Sequence, residues 1–274
     1  MQTQRIAFIG CGNMARSLIG GLIADGVAPA AISASDPSAE QRQALHNACG
    51  IAVHADNRAT VANADVVVAA VKPQVLRSVA TQLGPLLGPG TLLISIAAGI
   101  RVDDMQRWLG SERAIVRAMP NTPALLGSGI TGLFASSTTT SAQRESAESI
   151  LRAVGAVVWL DQESQLDAVT AVSGSGPAYF FLFMEAMATT ARELGLSPEV
   201  ARLLTVETAI GAGRMALETD DDLATLRQHV TSPGGTTAAA LAVLDTPQFR
   251  QLVSEALHSA CARAGELAAE FGKD

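Results

Sequence analysis

The sequence predicts an α/β chain: a mostly parallel sheet with helices packed on its faces, followed by an all-helical domain. Three observations carry this reading. Short β-branched runs alternate with amphipathic stretches as far as Leu160. A glycine-rich segment joins the first of those runs to an apolar helical face. Beyond Leu160 the strand signals stop and helical patterns follow. Taken in order, the predicted strands are residues 5–9, 32–34, 66–70, 92–96, 115–118, 130–134 and 157–160. Residues 66–70 are apolar without alternation, as a central parallel strand buried on both faces requires. Residues 179–194 are apolar nearly all round, with Glu185, Arg192 and Glu193 the only charges, so the helix they form needs protein on most sides. Ser197-Pro198-Glu199 supplies an N-cap, a proline at the first helical position and a first-turn acid for a helix to about Glu218. A shorter helix follows Gly234-Gly235, and Pro247 opens a last one. The expected domains are residues 1–162 and 163–274.

Composition narrows the function. Hydrophobic residues make up 48% of the 274, but charged residues only 16%, against roughly 25% in soluble proteins. Part of the surface is therefore expected to be covered by another copy of the chain. Nineteen basic against twenty-six acidic residues, a formal charge of −7 and 4% aromatics offer neither a phosphate-neutralising patch nor a base-stacking platform. Nucleic acid is excluded as a partner on this reading. Cys11, Cys49 and Cys261 are odd in number and lack metal-like or redox-like spacing, which predicts a reduced, cytoplasmic protein. No run reaches the roughly 18 apolar residues of a membrane span, and the N-terminus carries no apolar region with a cleavage site.

The strand at residues 5–9 runs into Gly10-Cys11-Gly12-Asn13-Met14-Ala15, and Leu18, Leu22 and Ile23 continue as a helical face. This is G-x-G-x-x-A in its required setting, and it marks the sheet domain as a Rossmann-like, dinucleotide-binding one. Gly10 permits the tight turn, Gly12 lets backbone approach a pyrophosphate, and Ala15 lets helix and strand pack closely. Asn13 and Met14 open the helix, whose N-terminus offers unpaired N–H groups to phosphate. An acid, Asp36, follows about 20 residues on. Such an acid accepts from a ribose 2′-OH and repels a 2′-phosphate, which favours NADH. Ser35, Arg42, Asn57 and Arg58 are an alternative set for the phosphate of NADPH, and Asp36-Pro37 also reads as a turn former.

Ala70-Val71-Lys72-Pro73 follows the buried strand, at the edge where open α/β sheets bind ligands. Ala97-Ala98-Gly99 and Met119-Pro120-Asn121 also end strands, and their small or rigid residues suit the flat face of a nicotinamide. In the helical half, residues 172–179 read as a small-residue loop leading into the apolar helix. Residues 230–238 place Ser232, Thr236 and Thr237 around Gly234 and Gly235 at a helix start, which reads either as a neutral receptor for a carboxylate or as a helix cap.

Five blocks together resemble the pyrroline-5-carboxylate reductases over nearly the whole chain. They are residues 8–14, 70–73, 117–124, 172–179 and 232–237, the last resembling the core of the family signature. The resemblance implies that NADPH or NADH is held by Gly10, Gly12, Asn13, Met14, Ser35, Asp36, Asn57, residues 70–73, Ala97, Ala98, Gly99, Met119, Pro120 and Asn121. It implies that Ser175, Ser232, Gly234, Gly235, Thr236 and Thr237 bind 1-pyrroline-5-carboxylate, with Thr237 offering its hydroxyl to the ring nitrogen. An acid near that nitrogen would be Asp220 or Asp221. The helical domain would interlock with its twin in a dimer, with pentamers of dimers a common further assembly. Two departures from the pattern are Asp36, where relatives often carry a small or basic residue, and Asp220-Asp221-Asp222-Leu223, where many carry an acid and His-Pro.

Reduction of C=N needs little acid–base machinery, because the protonated imine is already electrophilic. His46, His54, His229 and His258 include no pair at ligand spacing, so neither a metal nor a covalent nucleophile is expected; His229 reads as a helix-end residue. A dehydrogenase of the 3-hydroxyacid or 6-phosphogluconate kind would want a lysine base in the second domain. None occurs between Val172 and Gly272. A non-catalytic nucleotide-binding protein would have no need of a second anion pocket.

Overall fold

The structure, a computed structural model, describes residues 4–110 and 112–273. Its strands are β1 (Ile6–Ile9), β2 (Ile32–Ser35), β3 (Ala52–His54), β4 (Val66–Ala69), β5 (Leu92–Ser95), β6 (Ile115–Met119), β7 (Gly129–Ala135) and β8 (Gly155–Trp159). They form an eight-stranded sheet in the order β3-β2-β1-β4-β5-β6-β7-β8. Neighbours are parallel except β6 and β7. Between the strands run α1 (Asn13–Ala24), α2 (Ala39–Cys49), α3 (Asn57–Val61), α4 (Pro73–Leu83), α5 (Val102–Leu109) and α6 (Ser141–Arg152). The chain continues through α7 (Gln165–Val169), a π-helical turn (Thr170–Gly174), α8 (Gly176–Glu193), α9 (Pro198–Glu218), α10 (Leu223–His229), α11 (Thr236–Leu244) and α12 (Pro247–Phe271).

Residues along β1 alternate between two cores, one on each face of the sheet. Ile6 and Phe8 pack with Leu18, Ile19 and Leu22 of α1, whereas Ala7 and Ile9 pack with Leu76, Ala80 and Leu83 of α4. Each fully buried large aliphatic or phenyl side chain is worth about 1.5–3 kcal/mol. β4 is buried at every residue, as its unbroken apolar run predicts. β3 is not among the predicted strands: it is a three-residue edge strand with no buried residue, so it carries no apolar signal.

The described chain falls into two compact units, one reaching Ser175 and resuming at Ser259, the other Gly176–His258. The expected division at residue 162 lies ahead of this one because α7 and the π turn stay with the sheet. Leu166 is buried, and Val169 fills the space a side chain at Gly132 of β7 would need.

The helical unit has almost no interior. Among its described residues only Gly176, Ala201 and Thr205 are buried. Phe180 and Leu182 of α8 are 69% and 67% exposed, and Leu217 of α9 85%. The Ser197 N-cap and Pro198 start of α9 match expectation, with the Ser197 side chain accepting from the Val200 N–H. α10 is absent from the sequence expectation; it is short and hidden behind the Asp220-Asp221-Asp222 run, of which Asp222 caps it by accepting from the Thr225 N–H at 2.7 Å. That contact holds the Asp222 carboxyl below its ordinary pKa.

Candidate active site

The strand order reverses direction between β1 and β4, and the loops leaving their carboxyl ends frame a crevice there. Gly10 turns the chain at φ +103°, and a Cβ on it would lie 2.5 Å from the Ala70 carbonyl oxygen. Only glycine allows those two loops to approach so closely. Gly12 is the N-cap of α1 with no side-chain cap, and nothing lies within 4 Å of where its Cβ would project. The first N–H groups of α1, at Asn13 and Met14, have no partner among the described residues. An open cradle below a bare helix N-terminus fits the pyrophosphate of a dinucleotide.

Beside the glycines, Asp36 makes the turn the sequence allows and ties it to the phosphate loop. Its Oδ2 accepts from the Cys11 N–H at 2.9 Å and its Oδ1 from the Ser38 N–H at 2.8 Å. The second bond makes a turn, and the first fixes the charge against the phosphate loop. Arg42 spends donors on the carbonyls of Asp36 and Pro37, at 2.7 and 3.0 Å. Ser35 is fully buried and donates to Asn57 Oδ1 at 2.7 Å, so these two predicted residues do meet. Burial, and then the Asp36 charge, push the Cys11 thiol up to about 11, which leaves it protonated and inert.

On the other side of the crevice, Lys72 is an exposed, extended N-cap residue of α4 with Pro73 in the first turn. Gly99 has φ +75°, and the direction its side chain would take is filled by Phe271 at 3.3 Å. Its smallness thus serves the approach of α12. Asn121 is buried, and its amide donates to the Ser173 carbonyl at 3.2 Å while accepting the Ile130 N–H at 3.0 Å. Its side chain is committed to protein.

The expected loop at residues 172–179 is instead the π-helical turn running into α8, which already starts at Gly176. The Ser175 N–H bonds the Thr170 carbonyl at 2.8 Å, five residues back, and the glycines at 174 and 176 give this helical segment the composition of a loop. Such turns recur at functional sites. Ser173 Oγ bonds back to the Val169 carbonyl at 3.0 Å, whereas the Ser175 hydroxyl has no partner among the described residues. The Met119 methyl sits in the space a side chain at Gly174 would occupy. Residues 119–121 and 173–175, read from separate motifs, are therefore in contact.

In the helical unit, the Gly235 N–H closes a turn onto the Ser232 carbonyl at 3.0 Å and Gly235 then caps α11 with no side-chain cap bond. The hydroxyls of Ser232, Thr236 and Thr237 find no partner among the described residues. Free N–H groups and three free hydroxyls around an uncharged turn can receive a carboxylate. Asp220 is exposed. Asp221 lies 3.5 Å from His229, which ends α10.

Sequence reasoning assigned no role to Arg117 or Glu163, which pair at 2.7 Å with side chains 5% and 22% exposed. Burial lowers the Arg117 pKa, and its hydrogen bond to Glu163 opposes that. An arginine inside the apolar run Ile115-Val116-Arg117-Ala118-Met119 was the available signal.

Residues 163–267 match the family model for pyrroline-5-carboxylate reductase dimerisation, and residues 5–99 that of NADP oxidoreductase, coenzyme F420-dependent. A pyrroline-5-carboxylate reductase of Pseudomonas aeruginosa is 53% identical over 273 residues, covering 100% of both chains. The chain belongs to the pyrroline-5-carboxylate reductase family. Among solved structures, the pyrroline-5-carboxylate reductase of Coxiella burnetii matches with TM-score 0.94 and 48% identity over 97% of this chain and 99% of that one. That of Plasmodium falciparum, with NADP bound, matches with TM-score 0.85 and 29% identity over 98% and 99%. As a pyrroline-5-carboxylate reductase family member the chain is an oxidoreductase, and its dimerisation region contains the helical unit with the large exposed apolar side chains of α8 and α9.

Proposed function

We infer that the chain reduces the C=N bond of 1-pyrroline-5-carboxylate to give L-proline, the last step of proline biosynthesis, using NADPH or NADH. The observation that carries this is a likeness over the full length, taking in both the glycine loop and the 232–237 turn, at 53% identity to a pyrroline-5-carboxylate reductase.

A bound nicotinamide supplies the hydride. The chain's part is placement. The bare N-terminus of α1 holds the pyrophosphate, and the loops after β4, β5 and β6 line the nicotinamide side. The 232–237 turn receives the substrate carboxylate, and the Thr237 hydroxyl orients the ring nitrogen, with Asp220 or Asp221 keeping the imine protonated. Holding two molecules in reacting geometry can account for roughly 7–11 kcal/mol of barrier lowering.

Two copies pair through their helical units, since exposed phenyl and leucyl side chains on α8 and α9 need a covering surface. Five such dimers form a decamer on this reading. The dimerisation region is taken to begin at residue 163, where the family likeness starts, even though α7 and the π turn pack with the sheet unit. Among the described residues no helix is long and apolar enough to cross a membrane; the proposed location is the cytoplasm. The deciding assay follows NADH or NADPH consumption with pyrroline-5-carboxylate, beside a 3-hydroxyacid offered in the oxidising direction. Turnover of the hydroxyacid alone would replace this reading with that of an alcohol dehydrogenase.

A further inference from the structure

Glu163 is a carboxylate that neither the phosphate crevice nor the substrate turn uses. It stands just ahead of α7, where three segments of the sheet unit meet. Its Oε1 accepts from Arg117 Nη1 of β6 at 2.7 Å and from the backbone N–H of Val102, the first residue of α5, at 2.7 Å. Nearby, Arg101 Nη2 donates to Asp167 Oδ2 at 2.5 Å, and Arg101 Nη1 to the Glu163 carbonyl at 3.5 Å.

Each joined segment leads to a wall of the crevice. Arg101 and Val102 follow Ala97-Ala98-Gly99; Arg117 lies two residues before Met119-Pro120-Asn121; Glu163 precedes α7 and the π turn that ends at Ser175. Farther along, the same walls touch again, through Asn121 Nδ2 on the Ser173 carbonyl and Met119 against Gly174. An ion pair whose arginine is this shielded from water is a poor device for stability, because replacing both charges by neutral groups is often harmless to the fold. What the pair does provide is directional geometry at the meeting point of three elements.

We propose that the Glu163–Arg117 pair, with the Val102 N–H, is a positioning device for hydride transfer, locking the loops after β5 and β6 to the π turn that carries Ser175. The inference rests on the reductase reading above.

The main test is the double variant Arg117→Met/Glu163→Gln, which removes both charges of the pair together. It melts close to the wild type, yet its kcat falls about 10- to 100-fold, the penalty of a small misplacement of reacting groups. Calorimetric affinity for ADP-ribose, which lacks nicotinamide, is unchanged, while NADH binds about 3- to 10-fold more weakly. Arg117→Lys, which keeps a cation opposite Glu163, restores most of kcat. Should the double variant fail to fold, Val102→Pro decides. It deletes one clamp bond at a first-turn position that tolerates proline, after Arg101, whose φ −79° and ψ 158° suit a residue preceding proline. Its kcat per folded molecule is expected to fall about threefold or more, over and above any drop in melting temperature from the lost core contact of Val102. Wild-type kcat in a folded double variant, or a lowered melting temperature with kcat per folded molecule intact, overturns the proposal. If the wild type itself does not reduce pyrroline-5-carboxylate, the reaction assigned above falls, and the ADP-ribose against NADH comparison still decides the clamp.

Discussion

The N-terminus of α1 in the sheet unit and that of α11 in the helical unit are built alike, and unlike five other helix starts among the described residues. Ser38, Asp56, Thr140, Ser197 and Asp222 cap α2, α3, α6, α9 and α10 with their own side chains. Gly12 and Gly235 leave α1 and α11 uncapped. The difference between the two is what stands beside the bare N–H groups: an open crevice at a strand reversal for α1, and three partnerless hydroxyls for α11. A charged diphosphate suits the first and a small carboxylate the second.

The sharpest way to break this comparison is to cap α1. Gly12→Asp places a favoured N-cap residue where the backbone is already extended and nothing obstructs the side chain, so the fold should be kept or stabilised. Its charge meets the pyrophosphate, and affinity for NADH and NADPH should drop on the order of 100-fold; a titration showing wild-type affinity would move the nucleotide elsewhere. At α11 the expected effect is smaller. Thr237→Ala should lower kcat/KM for pyrroline-5-carboxylate about 5- to 150-fold, the worth of one hydrogen bond of about 1–3 kcal/mol, while nucleotide affinity stays put. Unaltered kinetics would remove Thr237 from the site.

Between these lies the adenosine end of the crevice. Asp36→Ser should raise the ratio of kcat/KM for NADPH over NADH by relieving repulsion of the 2′-phosphate. Because both Asp36 oxygens also tie the loop together, a loss of stability with an unmoved ratio would reduce the residue to its turn. The smallest effect belongs to a control: Ser197→Ala removes an ordinary cap and should cost about 1 kcal/mol in thermal or denaturant unfolding, with steady-state constants unchanged.

Legibility followed the physics of burial. Strands packed on both faces, such as Val66–Ala69, are apolar at every position and could not be mistaken. β3 lies at the sheet edge, and α10 is a seven-residue helix behind three acids, so neither left a hydrophobic trace. The glycine loop was readable because its chemistry is local: Gly10, Gly12 and Asp36 act within one strand–helix–strand unit. By contrast, Asn121 and Ser173 are 52 residues apart, and Arg117 and Glu163 are 46 apart. No periodicity encodes a pairing at that distance, and the π turn between Thr170 and Gly174 is signalled by the same small residues that make loops.

One consequence concerns the gene rather than the site. The end of α12 belongs to the sheet unit, where Arg107 bonds the Gly272 carbonyl at 2.8 Å and Phe271 lies over Gly99. That unit is therefore discontinuous in sequence, and the helical unit is written into it as an insertion with two junctions, near Ser175 and Ser259. A fragment cut once after Ser175 would lack the helix that covers Gly99. The sheet unit could be exchanged with that of a relative only by grafting both pieces, so recombination within this family has two breakpoints to satisfy at once.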